Sequence, residues 1–429
     1  MHSVIGLDFG TTNSAIALAT LGGKAELATF PEDGHRTTTF RSVLYFDPEQ
    51  REPTGKPRAV GGPNAITQYL QADTRGRLVQ SMKSHLASPS FKHTAILGHS
   101  YTLEELIALV IRQLKETAEA QFGRLAERVV VGRPAHFSGA EDEEGDKFAL
   151  NRLRTAIQQG GFNQVEFELE PVAAAYQYEQ QLDHDEIVLI ADFGGGTSDF
   201  CLIQLGPAAR QRGRRRDDIL GTDGVAIAGD TFDSGMVRHL IAPHLGLGSE
   251  YRSLFNRILP VPLWLYEKFE RWHHLSFLKT RETMELLRQI HFGALEPEKI
   301  EALIHVVEED LGYHLFRAVE RTKCGLSDAE ISPFIFHEAL VDIEEQVKRS
   351  AFETWINPHV LAIAHCVDRL LTHCGVQPSD VDSVFLTGGS SFVPAVRRIF
   401  VERFGESRLR GGDELTTVAK GLALRALED

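Results

Sequence analysis

The first twenty residues set two short apolar runs around a Gly/Thr turn. Val4-Ile5-Gly6-Leu7 leads into Asp8-Phe9-Gly10-Thr11-Thr12-Asn13, and Ala15-Ile16-Ala17-Leu18 follows. This spacing predicts a β-hairpin. The pattern returns once. Ile187-Val188-Leu189-Ile190-Ala191 leads into Asp192-Phe193-Gly194-Gly195-Gly196-Thr197-Ser198-Asp199, then Phe200-Cys201-Leu202-Ile203. The separation of Asp8 from Asp192 far exceeds the ~20–50-residue period of a solenoid. It predicts a duplicated lobe instead, with lobe I over 1–183 and lobe II over 184–429.

Between the copies, strand and helix patterns alternate. Thr102 and Glu105 form a capping-box pair before Leu106, Leu109, Val110 and Leu114 at helical spacing. Arg128 to Gly132 reads as a strand, Ala140 to Gln159 as a polar helix, and Val165 to Leu169 as a strand. Pro171 opens a helix through Tyr178, since proline suits a first helical turn. The alternation predicts an α/β fold. Beyond the second hairpin, residues 236 to 349 read as mostly helical, with Ile300, Leu303, Ile304, Val307 and Leu311 on one face. A helix is predicted after Asn357-Pro358, a strand over Val381 to Leu386, a helix opened by Pro394, and a closing helix over Thr416 to Leu427. The arginines of Ala208 to Arg216 read as a solvated hairpin tip, with a basic patch for an acidic partner as the competing reading.

The 429 residues carry 60 acidic and 45 basic side chains, a formal charge of −15. That balance argues against general nucleic-acid or anionic-membrane binding, which need a positive field. The four cysteines form no CxxC pair, which argues against a disulfide scaffold or zinc ribbon and suits a reducing cytoplasm. No signal-peptide pattern and no apolar run of membrane-spanning length are present, so the expected location is cytoplasmic.

The two Asp-Phe-Gly loops carry the strongest chemical signal. A Gly/Thr turn offers consecutive backbone N–H groups without side-chain obstruction, a nest for phosphate oxygens. Thr11, Thr12 and Thr197 add hydroxyl donors. Asp8, Asp192 and Asp199 would repel phosphate directly, so they make sense with a cation between, most simply Mg²⁺. The competing reading is two ordinary glycine turns, and the repetition of Asp before Gly and Thr after weighs against it. No GxxxxGK[ST], dinucleotide GxGxxG, HExxH or GxSxG motif occurs. Leu386-Thr387-Gly388-Gly389-Ser390-Ser391-Phe392 reads as a strand entering a Gly-Gly turn. Beside two phosphate loops it becomes the expected nucleoside side of the site.

These loops, together with Val131-Gly132-Arg133-Pro134-Ala135, Glu170-Pro171-Val172-Ala173-Ala174-Ala175 and Thr387-Gly388-Gly389-Ser390, resemble the nucleotide-binding domain of the seventy-kilodalton heat-shock chaperones. The resemblance extends from Val4 to the final helix and is closest to the short, YegD-type members. It implies a two-lobed, actin-like α/β ATPase of duplicated ribonuclease-H-like lobes. ATP or ADP would lie in the cleft between lobes, with Mg²⁺ as cofactor and K⁺ as a second candidate cation. It assigns cation holding to Asp8, Asp192 and Asp199. The phosphate tail falls to Gly10, Thr11, Thr12, Asn13, Gly194, Gly195, Gly196 and Thr197. The implied catalytic set is Lys83, Glu170, Asp192 and Thr197, with Asp192 positioning the attacking water and Lys83 facing the transferring phosphoryl. Gly229, Glu320, Lys323, Ser327, Gly388, Gly389, Ser390, Phe392 and Asp413 complete the implied nucleotide contacts.

Three features depart from the family pattern. The arginines that sandwich adenine there are Cys324 and Phe392 here, and Phe392 either stacks on the base or packs into the core. The Asp233-to-Glu320 stretch is longer than usual, which predicts a helical insertion over about 242–315. It carries Trp264, Tyr266, Trp272 and Phe277 as candidate anchors for protein partners or clients. Little sequence follows Gly421, so no covalent peptide clamp is expected. The reading is therefore a chaperone-like ATPase switch. The alternatives are a small-molecule kinase of the same superfamily and a filament-forming actin-like protein.

Overall fold

The computed structural model describes residues 3–20, 24–32, 34–72, 76–212, 215–270, 275, 278–411 and 416–427. The chain divides into two compact units. One comprises 1–228, 362–392 and 396–429. The other comprises 229–361 and 393–395.

Two sheets in the first unit share one five-strand order, and in the first of them Phe40–Arg41 adds a sixth strand beside Asn13–Thr20. In one, β1 (Ser3–Phe9), β2 (Asn13–Thr20) and β3 (Ala25–Leu27) run antiparallel, while β4 (Arg128–Arg133) and β5 (Gln164–Leu169) lie parallel to β1. In the other, β6 (Glu186–Phe193), β7 (Ser198–Leu205) and β8 (Ile219–Val225) repeat the antiparallel part, and β9 (Ser383–Thr387) and β10 (Leu409–Gly411) the parallel part. The orders are 3-2-1-4-5 and 8-7-6-9-10. Both predicted hairpins are present. Their registers place Asp8 opposite Ala15 and Asp192 opposite Asp199.

Close helix contacts explain two small-residue motifs. The helix Glu170–Glu179 buries Ala173, Ala174 and Ala175. The closing helix Thr417–Arg425 meets it at Gly421, where an added Cβ would lie 1.7 Å from the Ala173 carbonyl oxygen. A Cβ at Gly6 of β1 would lie 2.3 Å from the Ala423 nitrogen. Backbones this close admit no side chain, so the alanine run and the two glycines are packing requirements. Leu7, Phe9, Val129 and Val131 are buried on the sheet below the helix Leu103–Phe122, whose Thr102–Glu105 capping box forms with both hydrogen bonds.

Several elements differ from the pattern-based reading. Residues 236–349 are largely helical, as read, but not throughout. They hold the hairpins Glu250–Arg252/Ile258–Pro260 and Ile331–Glu338/Val341–Lys348 beside the helices Leu263–Phe269, Arg281–Gly293, Pro297–Glu308 and Gly312–Asp328. In the longer hairpin, Phe334 and Phe336 alternate with exposed residues and face Val341, Ile343 and Val347, a period-two signal that a helical reading overlooks. The helix predicted to start after Pro358 begins at Arg349 and carries Pro358 in its interior. The arginine-rich segment joins the antiparallel strands β7 and β8, as the hairpin reading predicts, and adds the short helices Pro207–Arg212 and Arg215–Asp218. There Arg212 pairs with the buried Asp218 at 2.7 Å and Arg210 donates to the Leu182 carbonyl. Arg214 and the side chains of Arg215 and Arg216 lie outside the described residues. No helix among the described residues is long and apolar enough to cross a membrane.

Candidate functional site

The two loops converge. Gly10 ends the first strand where a Cβ would sit 2.2 Å from the Asn13 carbonyl oxygen, so the turn closes tightly only with glycine. In the second loop the Gly194 N–H donates to the Thr197 carbonyl at 2.9 Å. A Cβ at Gly196 would lie 3.5 Å from Thr11 Oγ1 and 3.8 Å from Ser84 Oγ, so both loops and the segment carrying Lys83 meet at one place. That segment is the single turn Met82–His85, entered through Ser81 at φ 57. A buried serine in left-handed backbone is uncommon and is held there by its surroundings.

Lys83 Nζ donates to Glu170 Oε1 at 2.6 Å, and both residues are buried. Glu170 stands at the first position of its helix, and Gly132 of β4 leaves room for it: a Cβ there would be 3.0 Å from Glu170 Cγ. Asp199 accepts the Ala135 N–H at 2.6 Å and a hydrogen bond from Thr197, and Gly224 clears its carboxylate. The glycine of Val131-Gly132-Arg133-Pro134-Ala135 and the Ala135 amide thus serve the two acids directly.

The electrostatics are dominated by excess acid. Burial, then the Glu170 charge, pushes Asp8 up to about 7 against the opposing pull of Lys83. Burial and Glu170 push Asp199 to about 7 as well. Burial, then Glu170, Asp8 and Asp199, hold Asp192 well above the usual carboxylate range. Burial alone would lower Lys83, but Glu170, Asp8 and Asp199 together raise it. Four acids therefore share one ammonium, and Asp8, Asp192 and Asp199 are held toward protonated forms that a cation would displace.

This donor set fits a hard cation reached in part through water. All the candidate ligands are carboxylate oxygens, as Mg²⁺ prefers. Among the described residues no three His, Cys, Asp or Glu side chains are grouped closely enough to chelate an ion directly. An ion held by one or two carboxylates, with waters and phosphate oxygens filling the remaining positions, matches that arrangement.

The third turn follows β9, which pairs in parallel with β6 so that Thr387 stands beside Asp192. Gly388 has φ 83, and a Cβ there would lie 2.0 Å from the Phe193 carbonyl oxygen. Gly389 faces open space, and Ser390 and Ser391 are buried in the turn Gly389–Phe392. The chain therefore passes through this extra turn before the helix Pro394–Phe404 begins. Phe392 is 53% exposed, which excludes the core-packing reading. Gly388→Ala combines a disfavoured backbone region with a clash against main chain. We expect a loss of about 2 kcal/mol or more, checked by urea unfolding.

In the second unit, Gly229 opens the helix Gly229–Met236, and Glu320, Lys323 and Ser327 lie on the helix Gly312–Asp328. Lys323 Nζ meets Asp233 Oδ1 at 2.7 Å with both side chains largely buried, which ties the two segments together. Cys324 is exposed. Asp413, Trp272 and Phe277 lie outside the described residues. The sequence reading assigned no role to Asp233, Ser84 or the Ala135 amide. Asp233 was legible as an acid beside Gly229, whereas the other two depend on backbone placement.

Duplicated 3-2-1-4-5 sheets, each with a Gly/Thr loop and an acid at the strand end, define the actin-like class of ATP-binding α/β folds. A sequence model described as Hsp70 protein matches residues 4–244 and 300–427, and the chain belongs to that family. The stretch 245–299, inside the expected insertion, is not matched.

Proposed function

We propose that this protein is a Mg²⁺-dependent ATPase that acts as a chaperone-like switch for separate protein partners in the cytoplasm. The observation that carries the reading is the buried Lys83–Glu170 pair, set among Asp8, Asp192 and Asp199 where two Gly/Thr loops meet. In this reading the loop amides and Thr11, Thr12 and Thr197 hold the triphosphate. The acids carry the cation and orient water, and Lys83 offsets charge on the transferring phosphoryl. The family motif assigns nucleoside contacts to Glu320, Lys323 and Ser327 and, separately, to the Gly388-Gly389-Ser390 turn. K⁺ is the second cation of the same scheme, and the insertion is the surface offered to partners.

The test is product analysis with Mg-ATP. Free phosphate released without an acceptor supports the ATPase, and Lys83→Ala should reduce its release by about 10²-fold or more. Phosphate that appears only on an added metabolite would replace this reading with a small-molecule kinase. Isothermal titration of both proteins with ADP separates binding from turnover.

A further inference from the structure

The part of the chain that the family pattern does not match is also where apolar side chains face water. Among the described residues sixteen large hydrophobic side chains are exposed, and eight of them lie between 254 and 295. They cluster along one hairpin and the segments that adjoin it. Leu254, Phe255, Ile258 and Leu259 come from the hairpin Glu250–Arg252/Ile258–Pro260, and Phe292 and Leu295 from the chain running beside it. Tyr251 bridges Ala294, the Leu295 N–H donates to the Glu250 carbonyl at 2.9 Å, and a Cβ at Gly293 would lie 2.1 Å from the Arg252 carbonyl oxygen. Leu263 and Trp264 follow directly after the second strand.

The tip of the hairpin is held rigidly. The Ser253 N–H donates to the Arg257 carbonyl at 2.8 Å, and the Asn256 N–H donates to the Ser253 carbonyl at 2.9 Å. Asn256 takes φ 57, which asparagine tolerates, and its Oδ1 accepts from Arg252 Nη1 at 2.7 Å. This ordered turn displays Leu254 at 88% exposure and Phe255 at 87%, where turns ordinarily carry polar residues. Phe292 is 90% exposed. Aromatic side chains bury roughly 150–250 Å² each. Phe255 and Phe292, on adjoining segments, together therefore reach the few hundred Å² at which an exposed patch marks an interaction site.

Charge selects the occupant. Arg252 and Arg257 flank the tip, and neither has a carboxylate partner among the described residues. The neighbouring cations are paired: Arg281 with Glu285, Arg288 with Glu308, and Lys299 with Glu296. Two unpaired arginines beside an apolar tip complement carboxylates placed beside an apolar stripe. A second copy docking through the same patch would set Arg252 and Arg257 against the same two arginines. A short acidic segment meets mainly the two arginines, because charges beyond ~8 Å are screened at physiological salt. We infer that this patch binds an acidic, amphipathic segment of a partner protein. The inference rests on the insertion being a partner surface and not on the nucleotide chemistry.

The probes are two synthetic amphipathic helical peptides with the same Leu/Phe stripe, one flanked by Glu and one by Lys. Fluorescence anisotropy with the full chain, without nucleotide, should show the Glu peptide binding at least ~10-fold tighter, as attraction to two arginines predicts. Phe255→Ser combined with Phe292→Ser should weaken it by ~10-fold or more. Arg252→Glu combined with Arg257→Glu should reverse the preference between peptides. These positions are exposed, so circular dichroism and melting should match the parent chain. Absence of binding at 1 mM peptide (about the weakest affinity worth −4 kcal/mol), or equal binding of the two peptides, would overturn the inference. So would binding to phosphatidylserine vesicles alone, or a concentration-dependent dimer lost in the Phe255/Phe292 variant. ADP titration of the same samples keeps the two readings apart, since lost nucleotide binding leaves the peptide result intact.

Discussion

Asp192→Asn should keep ATP binding and lose turnover by about 10²-fold or more, the cost of removing a positioned acid or base. In the proposed reading the phosphate contacts lie elsewhere: backbone amides of the Gly10–Asn13 and Gly194–Thr197 turns, and hydroxyls on Thr11, Thr12 and Thr197. Asp192 closes β6 opposite Asp199 and is buried, with Glu170, Asp8 and Asp199 all acting on its carboxyl. A side chain so placed contributes little hydrogen bonding to phosphate and much to a bound cation or to water. Asparagine keeps the volume of a carboxyl that its surroundings already hold toward the neutral form, so binding of an anionic tail should hold. The experiment pairs equilibrium ATP binding with single-turnover hydrolysis. Unchanged single-turnover rates would sink the role given to Asp192.

The sequence revealed the loops because their chemistry is local. An apolar strand, an acid, glycines and threonines within a dozen residues define a phosphate nest before any tertiary contact exists. The Lys83–Glu170 pair is different, since its partners come from a strained turn after Ser81 and from a helix N-terminus distant in sequence. Only the likeness to a known family brought them together. The small residues gain their meaning from the fold. Gly132 clears Glu170, Gly224 clears Asp199, and Gly421 lies against Ala173. The insertion was the least legible part. Its helices show periodicity, but the hairpin at 250–260 is three residues per strand, too short for an alternation to register. Trp264 and Tyr266 illustrate the limit. Both read as candidate anchors, yet Tyr266 is buried with its hydroxyl donated to the Leu245 carbonyl, while Trp264 is exposed. Composition reveals that aromatics are present, and packing decides which of them a partner can reach.

Without nucleotide or cation, the protein should be more stable at pH 5.5 than at pH 8. Asp8 and Asp199 are raised to about 7, and Asp192 is raised with them. An unfolded carboxyl titrates near 3.9. Between these values the folded chain binds more protons than the unfolded chain, so stability falls as pH rises from about 4 through about 7. The shift on Asp199 corresponds to roughly 4 kcal/mol as an upper bound, at about 1.4 kcal/mol per unit. The coupled acids do not add independently. Carboxylates held low by arginine, such as Asp223 by Arg369 and Asp368 by Arg403, work in the opposite direction, but only below about pH 4. The melting temperature should therefore drop by roughly 5 °C or more from pH 5.5 to pH 8, at ~2–4 °C per kcal/mol for a large domain. Asp199→Asn should flatten that slope. Mg²⁺ with ADP needs the ionised acids, so it should stabilise the protein more at pH 8 than at pH 5.5 and release protons on binding near pH 7. Differential scanning fluorimetry at both pH values, with calorimetric titration in two buffers of different ionisation heat, measures each part. A melting temperature that rises across this interval in the unliganded protein would show that the acids are already ionised, and would remove the electrostatic case for a cation among them.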